Sequence, residues 1–304
     1  MQTILGANGS IGQELSLNLP KYTSQIRQVS RQPRKVNASD ETVHADLLNY
    51  PQTEKAVAGS AIVYLLAGLK YDTKTWQEQW PKLMRNTIDA CKKHNSKLVF
   101  FDNVYAYGLV RGSMNEETPF NPISKKGEVR ARIATMLLDE IKQRNLDAMI
   151  VRSADFYGPH VVQSMIHSTV TERLKAGKKP QWIGDPKAIH SFTYTPDAGK
   201  TVAILGNTPT AFNQTWHALT SNEAITGEDF IRTACEAKGI TFRGVSRLPK
   251  FGVRILGLFV PVLSEIVEMM YQFENDYIFN SSKAEKAMGM RATSYKDGIA
   301  SIIV

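Results

Sequence analysis

Three glycines stand near the N-terminus in the run Gly6-Ala7-Asn8-Gly9-Ser10-Ile11-Gly12, directly after a strand-like stretch and directly before a helix-like one. Each position asks for glycine for its own reason. Gly6 permits a tight strand-to-helix turn, Gly9 lets a pyrophosphate approach the backbone, and Gly12 lets the helix pack closely on the strand. Gly6, Asn8, Gly9, Ser10, Ile11 and Gly12 are therefore expected to cradle the phosphates of a dinucleotide at the positive end of that helix. A glycine triplet also serves purely structural turns, and it is the position between strand and helix that favours the dinucleotide.

About 20 residues beyond the last glycine, an acidic residue would hold the ribose 2′-hydroxyl of NAD. Here the second strand ends in Ser30-Arg31, with Arg34 and Lys35 close behind. A carboxylate would repel a 2′-phosphate, whereas a guanidinium forms a bidentate, charge-assisted pair with it. Arg31 and Arg34 thus point to NADP, with NAD the lesser expectation and a solvated basic loop the plain alternative.

The elements that must position this turn are legible as alternating strand-like and helix-like segments, the pattern of parallel βαβ units. Strands are expected at residues 2–5, 25–29, 42–44, 61–66, 97–101 and 148–152, with helices near 11–18, 75–94 and 126–144. In the last helix Val129, Ile133, Leu137 and Ile141 recur at helical spacing and form one buried stripe. From about residue 159 the periodicity weakens, and Gly, Pro and aromatic residues become more frequent around 179–195. The expected fold is α/β: a doubly wound parallel sheet of the Rossmann type over residues 1–158, then a smaller C-terminal α/β substrate lobe over 159–304. A strand near 212–216 is expected to rejoin the main sheet.

With these residues in view, the chain resembles the extended short-chain dehydrogenase/reductase family, the group that includes NAD-dependent epimerases and dehydratases. The resemblance runs over nearly the whole chain. It is carried by the glycine turn, Asp46-Leu47, Ala67-Gly68, Asn86, Tyr107-Gly108 and Phe156-Tyr157-Gly158-Pro159, in that order. It implies a cofactor across the carboxyl ends of the strands, with Asp46 and Leu47 near the adenine and Leu66, Ala67 and Gly68 along its backbone. Ala154 and Asp155 would face the nicotinamide. Asp46 reads equally as a helix N-cap.

The catalytic positions depart from that family's pattern. Where its members carry a Ser or Thr, this chain has Asn103, and the family's Tyr and Lys align with Lys126 and Arg130. Four residues apart on a helix, the last two share a face. The resemblance assigns Arg130 to the nicotinamide ribose, and Lys126, desolvated beside a guanidinium, to proton transfer near neutral pH. Asn103 still hydrogen-bonds an oxyanion but offers no hydroxyl relay. Tyr105, in the same loop, is a second candidate acid. The alternative is that Lys126 and Arg130 are solvated residues on the first turn of an amphipathic helix.

Relatives that bind nucleotide sugars hold the diphosphate partly with an Arg at the place of His190, and imidazole is a poorer diphosphate clamp. The change argues for a smaller or less charged substrate. Tyr71, Tyr157, Trp182 and Trp216 are aromatic residues that would line a cleft or fill the core. The apolar segment 253–270 reads as a hydrophobic lid, an oligomer contact that would make a homodimer, or a buried helix.

Composition limits the remaining classes. Cys91 and Cys235 are too few for a disulfide framework or a metal cluster, so no metal is expected, and a reducing cytoplasm fits. The first motif follows Met1 so closely that no export signal is expected. The longest apolar stretch, 255–263, is broken by Gly257 and Pro261 and falls short of the roughly 20 residues of a membrane span. The formal charge of +8 is scattered rather than blocked, which argues against nucleic acid. The expected protein is a cytoplasmic, NADP-dependent oxidoreductase acting on a small carbonyl or alcohol, with neither nucleic acid nor membrane as partner. A non-catalytic NADP-binding redox sensor, and an epimerase or dehydratase that uses bound cofactor transiently, are the alternatives.

Overall fold

The computed structural model describes residues 1–161 and 164–303. Its centre is a seven-stranded parallel sheet of β1 (Gln2–Leu5), β2 (Ile26–Ser30), β3 (Glu41–His44), β4 (Ile62–Leu65), β5 (Lys97–Asp102), β6 (Ala148–Arg152) and β7 (Thr215–His217). The spatial order is β7-β6-β5-β4-β1-β2-β3. Between β1 and β4 the chain direction of the winding reverses, which makes the doubly wound arrangement and opens a crevice at the carboxyl ends of those strands. β7 comes from the C-terminal part of the chain and pairs with β6 in the register Thr215↔Ile150 to His217↔Arg152.

Helices cover both faces because every central strand is apolar on both. Leu5, Val63, Leu65, Leu98 and Phe100 join one buried layer with Trp80, Leu83 and Met84 of α3 (Thr73–Lys93) and Val129, Ile133 and Leu137 of α4 (Lys125–Lys142). Ile4, Tyr64, Val99, Met149 and Val151 join the other, against Leu15 of α1 (Ser10–Asn18) and Val202 of the helix Thr195–Gly206. The latter two helices touch so closely that a Cβ on Gly199 would overlap the backbone of Glu14.

Most strand limits differ from the expected ones by a residue or less, and α3 begins two residues before its expected start, at Thr73. The helix Tyr50–Val57, α2, was not expected; Pro51 in its first turn and the Asn49 cap explain it. The second lobe is stitched from short parallel pairs, Asp155–Tyr157 with Phe192–Tyr194 and Gln181–Ile183 with Ser246–Leu248. A further pair, Ile278–Phe279 with Ser113–Met114, ties the loop after β5 to the C-terminal part. Segment 253–270 is not a buried helix. It contains most of one short helix, Lys250–Gly257, all of a second, Pro261–Val267, and the turn after them; Val253 of the first helix and Met269 and Met270 of that turn are buried, while the outer side is exposed.

Candidate active site

The glycine turn has the geometry its sequence demands. Gly6 takes φ +88°, and its N–H and that of Ala7 donate to Val29 O at 2.9 and 3.2 Å. A Cβ on Gly6 would overlap the Ala67 backbone, and one on Gly12 would overlap the Ala7 carbonyl. Gly9 differs. The nearest atom to a Cβ there is Gly6 O at 3.6 Å, an ordinary contact, so the protein's own packing does not require glycine at that point. A group lying on the turn would.

Helix α1 begins at this turn with no side-chain cap and no acidic residue in its first turn. Its leading N–H groups and positive dipole end are therefore available to an anion, and the residues present fit a pyrophosphate. Asn8 Nδ2 donates to Gln32 O at 2.7 Å and Ser10 Oγ donates to His160 O at 3.0 Å, which fasten the turn to the loops on either side. Arg31 and Arg34 follow β2, and among the described residues their side chains enter no ion pair. The imidazole of His44 bonds the Arg31 carbonyl at 2.8 Å.

Along the crevice, Asp46 Oδ1 accepts from Leu48 N at 3.0 Å, so Asp46 closes a local turn. It is not the N-cap of the following helix; that is Asn49, which accepts from Gln52 N. Asn86 of α3 donates to Leu47 O at 2.9 Å and fixes that peptide. Leu66 N donates to Leu5 O at 2.8 Å, Ala67 abuts Gly6, and Gly68 has open space around its Cα. Ala154 is buried, its N–H donating to Thr193 Oγ1 at 3.0 Å.

The expected catalytic residues are all engaged with other protein groups. Lys126 is fully buried and donates to Thr73 Oγ1 at 2.9 Å, to Glu265 O at 3.1 Å, to Glu268 Oε1 at 2.8 Å and to Glu265 Oε2. Its neighbours are carboxylates from the second lobe, not the guanidinium of Arg130. Burial raises the Glu265 carboxyl, but the hydrogen bonds from Lys126 and Thr73 and the ammonium charge outweigh it and hold the group below its ordinary range. Arg130 is buried as well. Its Nε donates to Asp102 Oδ1 at 2.7 Å, its Nη2 bonds the same oxygen, and its guanidinium lies 4.5 Å over the Trp80 ring. Asn103 Oδ1 accepts from Tyr105 N at 3.0 Å and so shapes the loop that carries Tyr105. Neither Lys126 nor Arg130 is a solvated helix residue.

Asp102 anchors a buried network that the sequence did not reveal. Its other oxygen meets Arg152 Nε at 3.3 Å, Arg152 Nη1 donates to Tyr107 Oη at 2.9 Å, and Tyr107 lies 2.9 Å from His217 Nε2. His217 Nδ1 faces the Asn280 carbonyl at 2.7 Å, and a carbonyl only accepts, so the proton is on Nδ1 and Nε2 accepts from the tyrosine. Burial pushes this imidazole down to about 3, and it is neutral.

Four phenols gather where the glycine crevice meets the second lobe. Tyr71 and Tyr105 both pack on Trp76, at 5.6 and 6.2 Å between ring centroids, and Tyr277 stacks at 4.5 Å on His190, the partner of Asp155, whose charge adds to burial at Tyr71, Tyr105, Tyr271 and Tyr277. Burial raises all four phenols above their ordinary range, so they are protonated donors. Tyr105 stacks on Trp76 at 6.2 Å, and the Tyr271 hydroxyl is buried with no hydrogen-bond partner among the described residues. Asp155 Oδ2 is held by His190 Nε2 at 3.0 Å.

Of the expected substrate residues, only Tyr71 stands in this group. His190 is buried between Phe273 and Tyr277, with Nδ1 donating to Gln272 O at 3.1 Å; it positions Asp155 and does not line a cleft. Tyr157 and Trp182 are core residues, packed against Phe230 and Phe192 respectively, and Trp216 is buried with Nε1 donating to Ala211 O. Tyr271, Tyr277, Glu265 and Glu268 were missed. They follow no period, and only the return of the chain past residue 260 brings them to α3 and α4.

A family model described as "NAD dependent epimerase/dehydratase family" matches residues 3–215. A curated protein of Bacillus subtilis (strain 168), "Uncharacterized UDP-glucose epimerase YtcB", is 26% identical over 160 residues, 49% of this chain and 50% of that protein. The chain thus spans about half the length of the curated relative it matches. Among solved structures, a dTDP-glucose 4,6-dehydratase from Streptomyces venezuelae with NAD bound superposes with a TM-score of 0.82 at 15% identity, covering 100% of this chain and 95% of that one. A UDP-glucuronic acid 4-epimerase from Bacillus cereus in complex with NAD gives 0.79 at 17%, covering 100% and 96%. The Thermus thermophilus UDP-glucose 4-epimerase complex with NAD gives 0.80 at 16%, covering 100% and 98%. At these identities the likeness establishes the fold.

Proposed function

The chain belongs to the NAD dependent epimerase/dehydratase family, and from that premise we propose that it is a nicotinamide-dinucleotide enzyme acting at an alcohol or carbonyl carbon of a small substrate. The observation that carries the reading is the meeting of two features at the carboxyl end of one sheet: a glycine turn whose middle glycine packing does not require, and a partly buried cluster of protonated phenols around Asp155. Gly6, Gly9, Gly12 and the start of α1 would hold the pyrophosphate, and the loops after β4 and β6 would flank the rest of the cofactor. A bound nicotinamide supplies hydride transfer to or from carbon.

The proton that must accompany it comes from Tyr105. Burial keeps that phenol protonated, Asn103 fixes its backbone, and Trp76 fixes its ring. In the reducing direction Tyr105 donates its phenolic proton to the carbonyl oxygen, the direction that its protonated state serves. Lys126 and Arg130 serve as positioning residues, since their donors are already occupied by carboxylates.

NADP is the proposed cofactor on the strength of Arg31 and Arg34, the cations that follow β2. NAD is a second reading, favoured by the NAD present in the matched epimerase and dehydratase structures. Those same matches favour a nucleotide-sugar epimerase or dehydratase as a second reading of the activity, whereas His190, buried and shared between Asp155 and Gln272, favours a substrate without a diphosphate. Calorimetric titration with both dinucleotides, followed by a screen of carbonyls, alcohols and nucleotide sugars read by nicotinamide absorbance and product analysis, tests the proposal. If neither dinucleotide binds, the proposal fails.

A further inference from the structure

Between Glu236 and Glu265 the chain carries Lys238, Arg243, Arg247, Lys250 and Arg254 and not one carboxylate. The same stretch holds the most exposed large apolar side chains of the described residues: Phe251 is 74% exposed, Leu258 81% and Phe259 80%, with Ile255, Leu256, Val260 and Val262 beside them. In the helix Lys250–Gly257, Phe251, Arg254, Ile255 and then Leu258 recur at i, i+3, i+4 and i+7, one face, while Val253 is fully buried on the other. The turn that follows presents Leu258 and Phe259 at its apex before Pro261 starts the next helix. An apolar apex flanked by cations is not what water selects.

We propose that this hairpin, residues 249–264, docks the protein onto an anionic lipid surface, in place of the expectation that no membrane is a partner. None of the described helices is long and apolar enough to cross a membrane, so the contact is interfacial: Phe251, Leu258 and Phe259 enter the headgroup boundary and the cations meet lipid phosphates. Arg247 is partly engaged with Gly184 O and Lys250 stands 3.8 Å from Glu274, whereas Lys238, Arg243 and Arg254 make no ion pair among the described residues. Charge decides against a second copy as the occupant. A two-fold contact through this face would set the cations of each copy against the same cations of its partner, with no carboxylate in the stretch to offset them.

The experiment is co-sedimentation of the full chain with vesicles of phosphatidylcholine alone and of phosphatidylcholine mixed with phosphatidylglycerol, alongside sedimentation velocity of the free protein. The expected result is binding to the anionic vesicles only, weakened by salt. Partitioning should fall roughly 10-fold or more in Leu258→Ser/Phe259→Ser and, independently, in Arg254→Glu. Unchanged circular dichroism would show that the variants are folded. Equal binding to neutral vesicles, or none to either, overturns the proposal; so does a concentration-dependent dimer that the same variants abolish without any vesicle binding.

Discussion

The Lys126 ammonium lies 2.8 Å from Oε1 of Glu268, a contact across 142 residues that fastens the first turn of α4 to the segment following Pro261–Val267. Thr73, at the start of α3, donates to Glu265 Oε2 from its hydroxyl and, at 2.9 Å, from its N–H. The second lobe is thus locked onto the end of the sheet where the phenols gather.

Replacing Lys126 by Met keeps most of the packing of its stem and leaves Glu265 and Glu268 facing each other without their cation. Breaking a buried pair by removing one partner costs about 3–5 kcal/mol, and the one-fifth exposure of these carboxylates lowers that to about 2–3 kcal/mol. Urea unfolding is the measurement. Glu268→Gln, which keeps a hydrogen-bond acceptor, should cost about 1 kcal/mol. A loss below about 0.5 kcal/mol in Lys126→Met, the size of an ordinary surface change, would mean that the lock does not form in solution.

Gly6 and Gly9 should respond differently to a methyl group. Gly6→Ala forces a side chain onto φ +88° and into the Ala67 backbone, so both stability and dinucleotide affinity should fall. Gly9→Ala meets nothing closer than 3.6 Å and should cost under about 1 kcal/mol of stability while lowering dinucleotide affinity at least about 10-fold. Thermal melts and calorimetry on the two variants give the comparison. Unchanged affinity in Gly9→Ala would remove the phosphate from this turn.

Arg31→Ala should weaken NADP by about 1.5–3 kcal/mol, the value of a hydrogen bond to a charged group, and leave NAD affinity unchanged. Calorimetry with both cofactors reads it. Equal losses for the two, or none for NADP, would transfer preference to NAD.

Tyr105→Phe preserves the ring that stacks on Trp76 and removes the hydroxyl. Cofactor affinity should be retained, and single-turnover rate on any substrate found should drop by roughly 100- to 10,000-fold, the usual worth of a general acid. The unpartnered phenol of Tyr271 is the next to test should turnover persist.

Acid should weaken the fold through His217. Its folded value is depressed to about 3 against an ordinary 6.5, so the unfolded chain binds a proton that the native protein refuses. The contribution is complete above 6.5 and is lost as pH falls from there towards 3, at up to about 1.4 kcal/mol per pH unit. The depressed Glu265 carboxyl adds loss of the same sign below its ordinary 4.5. His217→Gln should flatten urea-derived stability between these two pH values, where the unmodified protein declines. A parallel slope in both would assign the acid sensitivity elsewhere.

The sheet and its glycine turn were legible in the residues because their causes are local. A strand of β-branched and aliphatic residues, a glycine where φ must be positive, and a helix stripe at 3.6-residue spacing each act within about a dozen positions. The family pattern led to Asn103, Lys126 and Arg130 because they lie on β5's exit loop and on α4, elements that local signals define. What those side chains touch was decided elsewhere. Lys126 is neutralised by carboxylates 139 and 142 residues away, Asp102 binds Arg130 and Arg152 at separations of 28 and 50, and His190 turns inward to hold Asp155. A buried charge must find its counter-charge wherever the tertiary fold brings one, and no spacing along the chain encodes that partner.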